Sequence, residues 1–435
     1  MLLSSLSHPS MISTSDGFAS RLKTISGGER YISPARSPPW NVKVMLCDEG
    51  VEMPAVYVDV TPSVLIWARE TAGLEVDDAA PRLQLTTDAL VALEDGSSQP
   101  TMGALDRMTV VYRRAFTVLL LPAPPPDELL EDFRTVDGHS PPWNTDIAGV
   151  VRSSRRWRQS AAWLADELDE LDPLKLRAST TTENPEAIAD LVRAKILPSD
   201  SYFRFEDGQA DAWNARRSAV EKLGILVFSI GVDEDSMRGL SIYDEFLPAI
   251  TINARELPQA RSFTLFHELA HLMLRAGGLC LEIGGRDSRG QAEWWCNRFA
   301  AATLVPKSEF EYHYADITDR TDDLERIFSS LGSSFRVSRH VVALRAERLG
   351  LVELGTYDQL ATKWRTEDWV PARGTGGGDF YLTYKSRHGT EFIRLVGESL
   401  SARVIDRSQA AEVMEVGGDV AKRLISDVVP GFSPW

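Results

Sequence analysis

Apolar and polar positions along this chain follow two periods, and the changes of period fall at recognisable turn residues. From Val56, VYVDV alternates with a period of two and reads as a short strand. Thr61 and Pro62 then supply an N-cap and a first-turn proline for VLIWARETAG, a helix that stops at Gly73. VDDAAPRL, TTDALVALEDG and TMGALDRMTVVYRRA read as short helical segments, and a proline cluster breaks the apolar run FTVLLLP. IAGVVRSSRRWRQSAAWLADELDEL reads as one long helix, basic in its first half and acidic in its second. That order opposes the helix dipole, so packing must hold the helix. Further on, AWNARRSAVEKLGILVFSIG reads as a helix entering a buried strand, and LPAITINA reads as another strand. Two helices are predicted around residues 262–275 and 291–303. DLERIFSSLG and SRHVVALRAERLG follow, then the break RGTGGGD and a mixed C-terminal segment.

Composition narrows the class. A chain of 435 residues is long for one core, and two to four modules are expected. Ser, Pro and Gly crowd the segment before residue 56, and VDGHSPPWNT reads as a linker. No stretch approaches the roughly 18 consecutive apolar residues of a membrane span. The N-terminus shows neither a basic region nor a sustained apolar region of secretory type. Cys47, Cys280 and Cys296 are few and lack CxxC spacing, which points to a reducing, cytoplasmic setting rather than a disulfide framework or a thiolate zinc site. A formal net charge of -16 disfavours generic attraction to nucleic acid or anionic lipid.

The chemistry concentrates in RSFTLFHELAHLML. His267 and His271 stand four residues apart, so on a helix both imidazoles project from one face and can share one ion. Zinc suits such a site, because it accepts two neutral imidazoles and a carboxylate and leaves a fourth position for water. Glu268 falls on the neighbouring flank, placed to take a proton from that water. The competing reading is a buried helix with two structural histidines. It would leave two imidazoles and a carboxylate among Phe263, Leu265, Phe266, Leu269 and Leu272 without partners, which is costly. In QAEWWCNRFAAATLVP, Glu293 is the one carboxylate amid apolar residues and is expected to be the third ligand. Asn297, one turn later on the same face, is expected to orient that carboxylate or a bound ligand.

At these residues the chain resembles the ImmA/IrrE metallopeptidases. The matching phrases are ITINA, RSFTLFHELAHLML and EWWCNRFAAATLVP, and FRVSRHVVALRAERLGLV is similar to the helix-turn-helix-like helices that follow the site in that family. TPSVLIWARETAGLEVDDAA with the segment to DFRT resembles the degenerate Cro/repressor-type module of longer members, and GGGDFYLTYKSRHGTEFIRLV resembles their C-terminal extension. The resemblance implies an α+β, predominantly helical protein. A zincin-like core of a small sheet plus the HExxH helix is expected, with flanking helical modules. The expected divisions are an arm (1–55), a degenerate helix-turn-helix module (56–122), a linker and connecting helix (123–175), the peptidase core (176–315), helix-turn-helix-like helices (316–355) and a C-terminal module (356–435). The resemblance also implies zinc on His267, His271 and Glu293, Glu268 as catalytic base, and a helix-turn-helix repressor as protein substrate, with nucleic acid as a regulator. One departure stands out: TTDALVALEDG carries Asp88, Glu94 and Asp95 and no basic residue, so it is poorly equipped to grip DNA.

Two arginine groups offer a nucleic-acid face instead: Arg152, Arg155, Arg156 and Arg158, and Arg336, Arg339, Arg345 and Arg348. The bland alternative for each is a solvated face pairing with an acidic protein. His313 and Tyr314 are candidate oxyanion stabilisers. The triple glycine at 376–378 lacks a following Lys-Ser/Thr, so a hinge is expected there rather than a phosphate loop. Two other functions fit the same residues: a DNA-binding regulator with a structural or silent zinc site, and a toxin or phage-defence protease with another protein target.

Overall fold

Strand β1 (Leu226–Ile230) runs parallel to β3 (Ala249–Asn253) in register Leu226↔Ala249. β2 (Gly239–Ile242) lies antiparallel to β3 on its other side and pairs outward with β4 (Gly278–Cys280), so the order is β1-β3-β2-β4. The computed structural model describes residues 56–125, 145–197, 209–232, 237–275, 278–280, 290–367 and 379–432. The expectations for residues 1–55, for most of the 136–145 linker and for the hinge glycines 376–378 lie outside the described residues. All described residues fall within one unit, Ala55–Trp435.

Both faces of this sheet are covered by helices, which is why LVFSI and AITIN read as continuous buried runs rather than as an alternation. Val227, Ile250 and Ile252 face one core. That core includes helices α7 (Pro185–Ile196), α8 (Gln209–Glu221), α9 (Pro258–Met273) and α10 (Gln291–Leu304). The same core continues through α11 (Lys307–Thr318), α12 (Leu324–Phe335), α13 (Arg339–Arg348) and α14 (Thr356–Glu367).

Leu226, Phe228 and Ile230 point to the opposite core. There the long helix α6 (Thr145–Glu167) packs with α15 (Phe380–His388), α16 (Thr390–Ser401), α17 (Arg407–Val413) and α18 (Gly418–Ser426). α6 buries Ile147, Val150, Val151, Trp157, Ala161 and Leu164, in keeping with a helix held by packing against its own dipole.

A third core, with Leu65, Leu90, Leu105, Met108 and Tyr112, belongs to five short helices. They are α1 (Pro62–Glu70), α2 (Val76–Arg82), α3 (Thr87–Glu94), α4 (Met102–Val111) and α5 (Phe116–Leu119). Three local readings change here. VYVDV makes only one isolated bridge, Tyr57 to Thr101, because its partner enters α4 at once and Pro100 has no N–H for a ladder. Thr61 sits at the N-cap of α1 but makes no side-chain cap bond, so Pro62 starts that helix, whereas Thr86 and Thr101 do cap α3 and α4. Glu94 is buried and accepts from Arg69 Nε at 2.8 Å and from Nη2 at 3.1 Å, so it is a core partner and not a surface acid.

Candidate metal centre

α9 begins at Pro258, whose preset φ suits the first helical turn, and it runs between β2, β3, α8 and α10. That position makes it apolar on nearly every side, and it buries His267 and Glu268 completely. One turn on, His271 brings its Nε2 to 3.1 Å from His267 Nε2. α10 crosses here, anchored by Trp295 Nε1 donating to Glu183 O at 2.8 Å. Its first-turn Glu293 spans both rings, with Oε2 at 3.2 Å from His267 Nε2 and Oε1 at 3.2 Å from His271 Nε2. Burial would raise the Glu293 carboxyl, but its hydrogen bonds with His267 and His271 outweigh that and hold it well below the usual carboxylate range.

These separations test whether one ion fits. Tetrahedral zinc bonds of about 2.0–2.1 Å place ligand atoms about 3.3–3.4 Å apart. The closest pairs, at 3.1–3.2 Å, match that spacing, and all three donors lie within 4.8 Å of one another. Two imidazole nitrogens and a carboxylate form a donor set zinc accepts, and His271 and Glu293 remain partly exposed on one side.

Glu268 lies against the sheet. A Cβ at Gly239 would stand 2.5 Å from its Oε1, so the close approach of β2 depends on glycine. Neither carboxylate oxygen has a hydrogen-bond partner among the described residues, and the buried Ser241 hydroxyl stands beside them short of full hydrogen-bond geometry. Burial pushes the Glu268 carboxyl up, and His271, His267 and Ser241 offset part of that rise. β2 is pinned to α9 through Glu256, which accepts from Arg238 Nη1 at 2.6 Å and from Thr264 Oγ1 at 3.1 Å. Asn253 ties the β1–β2 connection, donating to Val232 O at 3.1 Å and Met237 O at 2.9 Å. Sequence reasoning missed Gly239, Ser241, Asn253 and Glu256. The buried asparagine in ITINA was the available signal.

The other predicted residues scatter. Asn297 lies one turn beyond Glu293, with its Oδ1 buried and without a hydrogen-bond partner among the described residues. Tyr314 donates its hydroxyl to Leu351 O at 3.2 Å, and His313 packs edge-on to Phe335 at 5.6 Å. The second arginine group is spread over different surroundings. Arg345 is buried, donating through Nη2 to Glu186 at 2.7 Å and through Nε to Val305 O at 3.0 Å. Arg339 lies over Trp364, and Arg336 occupies the left-handed C-cap of α12, while Arg348 is half-buried at the end of α13. The first face divides too. Arg158 is committed to Leu247 O, Phe246 O and Asp244, whereas Arg152 turns toward Thr71 and Arg156 pairs with Glu415. Arg155 is half-buried on the same helix.

A small sheet backed by a helix carrying His-Glu-x-x-His defines the class: an α+β, zincin-like peptidase domain. Residues 220–347, under a third of the chain, match the family model of the IrrE N-terminal-like domain of peptidase family M78. The match spans β1 to α13 and contains His267, Glu268, His271 and Glu293. No curated protein matches the chain. No helix of the described residues is long and apolar enough to cross a membrane.

Proposed function

We propose that this chain is a zinc-dependent endopeptidase acting on a protein substrate, with a helix-turn-helix repressor as the target class. The observation that carries the reading is the convergence of His267, His271 and Glu293 from two helices at ion-sharing distances, with Glu268 beside them. His267, His271 and Glu293 hold the metal, and both imidazoles must be neutral to do so. Zinc in that cradle supplies Lewis acidity to the scissile carbonyl and to the attacking water. Glu268 accepts the water proton and returns it to the leaving amine. Its buried setting, where Gly239 and Ser241 close one side, raises its basicity and keeps it aimed. The repressor assignment rests on the resemblance of the modules flanking the site. A gene for a small helix-turn-helix repressor beside this one would support it, and its absence would count against it.

Glu268→Gln is expected to keep zinc and lose cleavage of a co-expressed repressor by at least about a hundredfold, in the range of general-base catalysis. His267→Ala is expected to lose both. Metal analysis together with mass spectrometry of the repressor reads the two outcomes. Cleavage by the Gln variant at the wild-type rate would exclude Glu268 as the base. Zinc binding by the Ala variant at full occupancy would exclude the proposed ligand set.

A further inference from the structure

At the junction of the five-helix module and α6, arginines gather in a protein of net charge -16. Arg152 donates through Nη1 to Thr71 O at 2.8 Å, and Arg114 donates through Nη2 to Thr71 Oγ1 at 2.7 Å, so both guanidinium groups converge on one residue. Arg114 also lies over the Trp67 ring at 4.2 Å. Arg113 has a left-handed φ of 51° and extends across Gly149 of α6, where a Cβ would collide with its guanidinium. Arg156 follows one turn after Arg152. This gathering is costly. Burial, and then the neighbouring charges of Arg114, Arg113 and Arg156, pull Arg152 down to about 10. Its Nη2 is buried and meets no acceptor among the described residues. Two acids pair at the rim: Asp146 is 3.6 Å from Arg113 and Glu415 is 2.5 Å from Arg156, with all four side chains at least 45 % exposed. Exposed pairs of this kind contribute about 0–1 kcal/mol, so an incoming anion can displace them.

We propose that Arg113, Arg114, Arg152 and Arg156 form a binding site for a phosphate-type oxyanion. A tetrahedral phosphate presents several strong acceptors, which planar guanidinium forks match in charge and geometry. It supplies the acceptor that Arg152 Nη2 lacks among the described residues and adds negative charge where these arginines meet. The site is separate from the metal centre: it uses none of the residues there and does not depend on the peptidase reading.

The test uses the full-length protein at fixed ionic strength. Thermal unfolding is followed as chloride is exchanged for inorganic phosphate, and then for ATP. Binding of a fluorescein-labelled single-stranded oligonucleotide is measured in parallel. Phosphate is expected to raise the Tm beyond the chloride control, and both Arg152→Gln and Arg113→Gln to weaken ligand affinity at least tenfold. Arg113 is half exposed, so its variant keeps the test valid if the Arg152 variant folds poorly. Displacement of the oligonucleotide by phosphate identifies a nucleic-acid strand as the source. Stabilisation by phosphate or ATP without oligonucleotide binding identifies a small phosphate ligand. No stabilisation by phosphate or ATP together with no oligonucleotide binding, or stabilisation equal in wild type and Arg113→Gln, overturns the proposal.

Discussion

At Gly239 the backbone of β2 comes so close to α9 that a Cβ would stand 2.5 Å from Glu268 Oε1 and 2.7 Å from Thr264 Cγ2. Those side chains are buried and cannot step aside into solvent. Gly239→Ala is therefore expected to destabilise the fold by about 1–3 kcal/mol, as overpacking does. It should also displace Glu268 and lower cleavage at least tenfold while zinc content stays at the wild-type level. Chemical denaturation, metal analysis and a cleavage assay read these separately, and an unchanged cleavage rate would show that the fit of β2 against Glu268 does not matter to the proposed reaction. The histidines were legible from spacing alone because an i, i+4 pair is a local property of a helix. Glu293 was legible as a lone carboxylate in an apolar helix. Gly239 and Ser241 were not, since nothing near them in the chain announces that β2 lies under a residue some thirty positions later. Arg345 misled for the same reason: its partner Glu186 is 159 positions away on α7.

Between elements, a buried ion pair within one helix reaches parts that the chain separates widely. On α8, Arg217 donates through Nε to Glu221 at 3.1 Å and through Nη1 to Ser386 O at 2.6 Å, and it also reaches Val227 O. Glu221 accepts from Thr390 Oγ1 at 3.2 Å. Gly389 has a φ of 82° and lets α15 and α16 close over this pair, where a Cβ would lie 2.6 Å from Glu221 Oε1. Burial pushes Glu221 up and Arg217 down, and each opposes the other's shift. Arg217→Met strands a buried carboxylate and is expected to cost about 3–5 kcal/mol, whereas removing both charges as R217M/E221L should recover most of that loss. Urea unfolding of the two variants decides it; equal losses in the single and double variants would show that packing, not charge, joins these elements.

Across the molecule, stability should depend on pH through His388. Its ring stacks on Tyr384 at 4.0 Å and meets Trp157 of α6 edge-on at 4.3 Å. Burial pushes it down to about 3, with Arg387, Arg217 and Arg156 acting in the same direction against the Tyr384 carbonyl. The unfolded chain takes up a proton near pH 6.5 that the folded one refuses. Stability is therefore full above about pH 6.5 and falls by about 1.4 kcal/mol per unit as pH drops toward 3. Between pH 7 and 5, His388→Phe should flatten part of the slope of unfolding free energy, and an unchanged slope would move the titration elsewhere. Metal removal gives a second whole-molecule test. Chelation should lower the Tm and added zinc restore it, by about 4 kcal/mol at a thousand times the dissociation constant.

Local physics alone settled the helix periods, the two histidines with their intervening glutamate, and the buried character of LVFSI and AITIN, because each depends on residues within a few positions of one another. The tertiary structure decided which strand backs Glu268, which arginines meet carboxylates in the interior, and which gather with like charges beside Thr71. It also joined the C-terminal helices to the far side of the peptidase sheet. Those outcomes depend on contacts between distant segments, where burial reverses what a charged residue costs, and no local pattern encodes which distant partner arrives.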